Sequence, residues 1–418
     1  MNKRRERFKN CIILLLSVSA VFFGFQAGIF NAPIRAQVLA TSGTQALAQP
    51  FNSGSQSPFL PTQIAVNLGP EGSFTSGVNT PDATVLELGE DSLPFLHSAL
   101  QSLGAQEEVP YHLWAEALGS WGILFSFSNH LSLSDFSLLF APQGNLPVGQ
   151  SRALYLSLKE SGVFLYFLGT DNEVFRAPTN VNRQAFSLFI EGTSPNASSI
   201  LFDFEAGLPA IGHSTYTNFP VITAQTAHMY QHLELLLQRF DFNPSLVRYV
   251  ESDGVRTMVE EGATLRIFED GLITYQYQGQ NPRLLVTSEE VPTLAQAILA
   301  AYRLASLVSI VAGDAQLSFR EYTYQNGRFV IEFEYLLHGV PVLGAYPAAR
   351  VVIDGRFVRE VSLFAQHFSH SGEFSSILST QQAQLAAGGQ GVRLLYVEEV
   401  PQSGRYTLTW ILQEGQVG

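Results

Sequence analysis

Residues 316–364 read QLSFREYTYQNGRFVIEFEYLLHGVPVLGAYPAARVVIDGRFVREVSLF, and the punctuation of this stretch decides the fold class. Four runs, Gln316–Tyr324, Arg328–Leu336, Ala348–Ile353 and Phe357–Phe364, are rich in β-branched and aromatic residues, the composition of strands. Between them lie Gln325-Asn326-Gly327 and Asp354-Gly355, whose Asn-Gly and Asp-Gly pairs supply the positive φ angles of two-residue hairpin turns. Phe329-Val330-Ile331-Glu332-Phe333-Glu334-Tyr335 alternates with period two, so one face of that strand is apolar. His338-Gly339-Val340-Pro341 is a further tight link. The stretch predicts an antiparallel meander.

The same grammar continues on both sides. Downstream, a helix is expected near Leu378–Ala387 and strands at Arg393–Val397 and Tyr406–Leu412. Upstream, Thr264–Phe268 and Leu272–Tyr277 flank the turn Glu269-Asp270-Gly271. Pro292–Val311 is apolar on nearly every side, and Arg303 near its middle would cost ~2.5–3.5 kcal/mol at the centre of a membrane. It reads as a buried core helix, with Glu289 and Glu290 near its positive end. Further upstream the pattern predicts helices at Asp91–Leu103 and Tyr111–Leu118, then strands at Gly122–Ser128, Ala153–Leu158 and Val163–Gly169. Met229, Leu233, Leu236 and Phe240 form a stripe at helical spacing and predict a helix over Ala224–Phe240. Hairpins paired with single helices, repeated, make the class α+β.

Residues 1–10 (MNKRRERFKN) carry Lys3, Arg4, Arg5, Arg7 and Lys9 against Glu6, a net of +4. Residues 11–30, CIILLLSVSAVFFGFQAGIF, hold no charge and match the ~20 residues that cross a hydrocarbon core as a helix. Basic residues before this segment, with only Arg35 close behind it, place the N-terminus in the cytoplasm. A cleaved signal peptide is the rival reading; its candidate sites, Val38-Leu39-Ala40 and Ala46-Leu47-Ala48, lie well past the apolar run. Within the segment Ala20, Gly24 and Gly28 recur every fourth residue, and Gln26 offers an interhelical hydrogen bond. These four are the candidate contacts for a partner helix, against the plainer reading that glycine is frequent in membrane helices.

Residues 31–80, poor in charge and rich in Ala, Gln, Ser, Gly and Pro, read as a low-complexity linker. The expected organisation is a cytoplasmic tail at 1–10, a transmembrane anchor at 11–30 and a linker at 31–80. A first α+β domain follows at 81–242, a hairpin-plus-helix domain at 243–313 and a C-terminal antiparallel α+β domain at 314–418.

A chain of 418 residues suggests two or three such domains. Charged residues make up 14%, against roughly 25% in an average soluble protein, which suits a surface outside the cytoplasm. The net charge is −13, so removing the +4 tail leaves −17 on the rest. An acidic body lacks the clustered Lys and Arg that nucleic acid requires. Cys11, the single cysteine, lies in the apolar segment and excludes an intrachain disulfide, consistent with export by a Gram-positive bacterium.

No catalytic signature is present: there is no GxSxG, SxxK or HExxH and no phosphate-cradling glycine loop. His228 and His232 stand one helical turn apart, with Glu234 nearby and His213 upstream, but a third zinc ligand is unassigned. His367 and His370 close a strand, and His130 with Asp135 lacks a nucleophile. The acid pairs Glu260-Glu261 and Glu398-Glu399 read as solvated faces. No catalytic, cofactor or metal residue is nominated, and no cofactor is expected.

Three stretches carry a likeness. Leu246–Tyr277 is LVRYVESDGVRTMVEEGATLRIFEDGLITYQY; Phe329–Val361 contains FEYLLHGVPV and ARVVIDGRFVREV; and Leu394-Leu395-Tyr396-Val397 precedes Leu408-Thr409-Trp410-Ile411. With the N-terminal segment they make the chain resemble the YycH/YycI-type accessory proteins of the WalK/WalR (YycG/YycF) two-component system, although the G-x-P-V, strand, D-G, strand pattern also occurs in PepSY-like domains. The resemblance implies a non-enzymatic, single-pass membrane protein with its bulk outside the cytoplasm. Its helix would contact a sensor histidine kinase and/or a related accessory membrane protein, while its exported domains modulate the kinase. Two other readings stand beside it, a tethered cell-wall or ligand-binding module and a secreted hydrolase.

Overall fold

The computed structural model describes residues 58–412 except 62, 70–73, 77–82, 133–149, 170–172, 194–197, 204–207, 214–217, 280–282, 290, 379, 389–391 and 401–402. The cytoplasmic tail, the apolar segment 11–30 and residues 31–57 of the linker lie outside the described residues. Among the described residues no helix is long and apolar enough to cross a membrane. The described chain is mixed α+β and mostly sheet.

The apolar runs expected as strands are buried from both sides, which explains why they scarcely alternate. They are β4 (Gly122–Ser132), β5 (Gln150–Lys159) and β6 (Gly162–Leu168). Around them a nine-stranded antiparallel sheet forms with β1 (Gln63–Asn67), β2 (Phe74–Ser76), β3 (Glu107–Val109), β7 (Val174–Pro178), β8 (Ser198–Asp203) and β9 (Leu208–His213). Its order is β3-β7-β6-β5-β4-β1-β2-β8-β9. On one face, helix α2 (Tyr111–Leu118) sets Trp114, Ala117 and Leu118 among Ala65, Leu124, Tyr155 and Tyr166. Leu154, Leu156, Leu165 and Phe167, which point the other way, are buried too. Helix α3 (Arg183–Gly192) packs on β5 and meets α1 (Ala83–Gln101) through Phe95, whose ring lies 5.3 Å from those of Phe186 and Phe189.

Strand β1 corrects the linker boundary. Residues 63–67 were expected in a linker, yet they pair with β2 and β4 in mid-sheet, and Ile64, Ala65 and Val66 are fully buried. Asn67 is buried as well, and its side chain is satisfied: Nδ2 donates to Leu118 O, and Oδ1 accepts from Gly69 N at 2.8 Å.

The second sheet has thirteen strands. Its elements are β10 (Asn218–Thr226), β11 (Arg248–Ser252), β12 (Val255–Glu260), β13 (Ala263–Phe268), β14 (Leu272–Tyr277), β15 (Gln316–Gln325) and β16 (Arg328–Leu337). They continue with β17 (Val340–Leu343), β18 (Ala349–Asp354), β19 (Phe357–Phe364), β20 (Gln366–Ser376), β21 (Val392–Glu398) and β22 (Arg405–Leu412). The order is β11-β12-β13-β14-β19-β18-β16-β17-β21-β22-β10-β20, with β15 also paired to β16. The turns follow the sequence chemistry: Asn326 and Gly327 sit at φ 54° and 78°, both left-handed. At Gly271, φ is 86° and an added Cβ would fall 2.5 Å from Ala365 O, so only glycine fits.

Two expectations change here. The helix predicted over Ala224–Phe240 is the end of β10, a 3-10 turn at Met229–His232 and a short helix α4 (Leu233–Arg239). β10 bonds to both β20 and β22, and those ladder bonds override the helical period of the sequence. Strand β14 pairs with β19 over five positions, Leu272↔Phe364 to Gln276↔Glu360, so one sheet runs continuously across the boundary expected at 313/314. The strand β10, expected in the first domain, belongs to this second sheet.

Pro292–Val311 forms helix α5 (Leu294–Ala305) and a 3-10 turn at Val308–Ile310. Thr293 and Gln296 cap it reciprocally: Thr293 Oγ1 accepts from Gln296 N at 3.3 Å, and Thr293 N donates to Gln296 Oε1 at 2.9 Å. Its 12 residues rise about 18 Å, short of the ~30 Å hydrocarbon core. It packs on β16 and β18 and is buried on nearly all sides, as its composition demands.

Pro58–Leu60 link the two sheets. Phe319 N of β15 donates to Pro58 O at 2.7 Å, and Phe59 meets Phe319 edge-on at 5.3 Å, four residues before β1 enters the first sheet. Phe59 is 6% exposed. Phe59→Ala is expected to cost about 3–5 kcal/mol in denaturant unfolding, whereas Leu188→Ala, at a 60% exposed position, changes stability by about 0.5 kcal/mol or less. A loss under about 1 kcal/mol for Phe59→Ala shows that this strap fastens nothing.

Candidate functional site

The candidate partner-helix contacts Ala20, Gly24, Gln26 and Gly28 lie outside the described residues. So does Asp135, and the side chains of His130 and His213 are not described, which leaves the histidine candidates at the 3-10 turn before α4 and on β20.

His228 and His232 do not share a helical face. His228 precedes the 3-10 turn and His232 ends it, so the four-residue spacing never becomes one α-helical turn. The His228 ring instead lies parallel to Tyr230 with centroids 6.4 Å apart. Arg256 covers Tyr230 at 3.9 Å from the ring centroid, and its Nε lies 3.3 Å from Glu251 Oε2. This stack ties the 3-10 turn to the β11–β12 hairpin. Among the described residues no group of three His, Cys, Asp or Glu is placed to hold a metal ion.

Histidines 367 and 370 on β20 face the loop before β15. His367 Nδ1 lies 2.9 Å from Val311 O, and His370 Nε2 lies 3.8 Å from Asp314 Oδ2. The His370 ring is 5.2 Å from that of His338, in the turn between β16 and β17. In the sequence His338 marks only a tight link and Asp314 stands out in no pattern, and nothing there ties either to His370.

The acid pairs also divide differently from the solvated reading. Glu260 is buried, and Arg283 Nη2 donates to its Oε1 at 2.9 Å while Asn243 N donates to its Oε2 at 2.8 Å. Glu261, 79% exposed at its side chain, shares the same guanidinium at 3.0 Å. Burial holds the neighbouring Asp241 carboxyl above the usual range, with Arg283 pulling the other way. Glu398 Oε1 accepts from Gly404 N at 2.7 Å, and Glu399 pairs with Arg405 at 2.7 Å, so this pair clamps the β21–β22 turn.

A cleft of about 540 Å³ opens between α2, the β5–β6 turn and the start of α3, with Glu116, Trp121, Lys159, Glu160, Arg183 and Ser187 on its walls. Most of its polar groups are engaged with one another. Lys159 Nζ bonds Glu116 Oε1 at 3.4 Å, Arg183 Nε donates to Lys159 O at 3.3 Å, and Ser187 Oγ donates to Glu191 Oε1 at 2.8 Å. Among the described residues the cleft is a self-neutralised surface crease with no convergent set of free groups.

The buried Glu260–Arg283 pair is therefore structural. Glu260→Ala strands a half-satisfied guanidinium and Asn243 N, and is expected to cost about 3 kcal/mol in urea unfolding. Glu261→Ala, on the exposed side of the same arginine, should cost about 0.5 kcal/mol. Equal losses at the two positions contradict the assignment.

No family model, no curated protein and no solved structure matches the chain.

Proposed function

We propose that the chain is a non-enzymatic regulator of an envelope-sensing histidine kinase, held in the cell membrane by one helix at 11–30 with its bulk outside the cytoplasm. The observation that carries this reading is the uncharged run 11–30, which holds the single cysteine Cys11, directly behind a +4 tail and followed by an acidic, cysteine-free body. The likeness to YycH/YycI-type proteins adds a sensor histidine kinase and/or a related accessory membrane protein as partners. Its stretches 246–277, 329–361 and 394–411 overlap β11–β14, β16–β19 and β21–β22, all members of the thirteen-stranded sheet. Catalysis is not needed for this role; a kinase is regulated by a change in which of its two states the partner prefers.

The helix carries the partner contact through Ala20, Gly24, Gln26 and Gly28, where small residues let two backbones approach. Replacing 11–30 by an unrelated span of equal length should abolish regulation while export persists. Gly24→Leu with Gly28→Leu should weaken association with the kinase by about 1–2 kcal/mol, roughly tenfold, in a membrane two-hybrid assay. Full regulation by the swapped chain would make the helix a mere tether and sink the proposal.

A further inference from the structure

We infer that His338, His370 and Asp314 form an acid-triggered latch at the seam where β17 joins the two parts of the second sheet, and that protonating His338 releases the 338–343 segment from β20. This rests on geometry independent of the regulatory role proposed above.

Strand β17 is four residues long and is the only bridge from β16 to β21 in the sheet order. It registers with β16 at Leu336↔Pro341 and Leu337↔Val340, and with β21 at Val342↔Tyr396 and Leu343↔Val397, the only parallel ladder among the described strands. The turn that launches it holds His338 at φ 51° and Gly339 at φ 75°, both left-handed. The His338 side chain is thereby fixed against β20, where His370 is registered to Ile222 of β10. Asp314 is fixed from the third side, because Asp314 N donates to Phe368 O at 3.1 Å and Phe368 N donates to Ala312 O at 3.1 Å.

A neutral His338 imidazole suits this arrangement. His338 Nε2 is shut off from solvent with no hydrogen-bond partner among the described residues. A proton there makes a charged donor with no acceptor. The titratable groups acting on it are His370 from β20 and Asp314 from the 312–315 loop. His367, on the same strand as His370, is turned to Val311 O; on the β21 side Arg393 reaches Glu334 of β16 at 3.8 Å, and Glu398 is engaged by Gly404 N. Burial first, and the His370 ring second, hold His338 below the ordinary imidazole range, with Asp314 opposing. Asp314 Oδ2 lies 3.8 Å from His370 Nε2, while a charge on His338 faces the His370 ring across 5.2 Å.

The sign follows from linkage. The closed turn binds the His338 proton more weakly than an opened, solvated turn, so the opened state takes up the extra proton. Opening is unfavoured above an ordinary imidazole pKa near 6.5 and gains up to about tenfold per pH unit below it, until the closed-state value is passed.

Hydrogen–deuterium exchange of the full chain at pH 7 and pH 5, corrected for intrinsic exchange chemistry, reads this opening. Amides of 336–343 should exchange roughly tenfold faster at pH 5, while those of β13 and β14 hold steady. His338→Asn, a residue suited to positive φ, should abolish the acceleration, and His370→Gln should reduce it. Unchanged exchange of 336–343 in the wild type, or full acceleration retained in His338→Asn, overturns the latch. Should the variants misfold, NMR titration of His338 in the wild type decides: a midpoint below 6.5 is expected, and one at or above 6.5 overturns the proposal.

Discussion

The pairing of β14 with β19 is the constraint on which the second sheet depends. Strands β11–β14 form a meander whose outermost strand is exposed along its whole length. A short meander of this kind is marginal in water unless a face or an edge is covered. Ile273 and Tyr275 become fully buried where the ladder to Leu363 and Val361 forms. Phe240 then stacks on Tyr275 at 5.0 Å, and Phe242 meets it edge-on at 6.3 Å, so the end of α4 is held by the same residue. One ladder thus joins hairpins that the sequence presents as separate units.

Charge has a narrower role. Most ion pairs sit at the surface, where each is worth about 0–1 kcal/mol. Arg283 is an exception, because it answers a buried carboxylate, an exposed one and the Asp241 carbonyl, which accepts from Nη1 at 3.0 Å. The anchoring of 58–60 and of β1 is by contrast apolar, through Phe59, Ile64 and Val66.

The fold was legible wherever local chemistry and tertiary pairing agreed. Asn326-Gly327, Asp354-Gly355 and Asp270-Gly271 announced their turns because each needs a residue at positive φ, both residues in the first pair and the glycine alone in the other two. The helix α5 was legible because its apolar residues run on every side and its length excludes a strand. Strand β1 was hidden, since QIAVN is short and sits in a polar, proline-containing neighbourhood. Strand β10 was hidden by Pro220 and by an apolar spacing that continues into α4. At the site, His370 was visible and its partners were not. The three residues come from a turn, a strand and a loop, and the fold brings them together only once β20 has docked beside β10.

That dependence bears on where the body can move. Long ladders such as β15–β16 and β18–β19 open only with the sheet, whereas β17 holds two registered pairs on each side. Local opening draws on the least bonded segments first. In this chain the thin joint between the two parts of the sheet is also where an unsatisfied imidazole is buried beside a second one. The cost of that buried nitrogen is tolerated at neutral pH because the turn geometry and the β20 contact over-determine it. Strain held at a joint, and not in a core, is strain that a single proton can release.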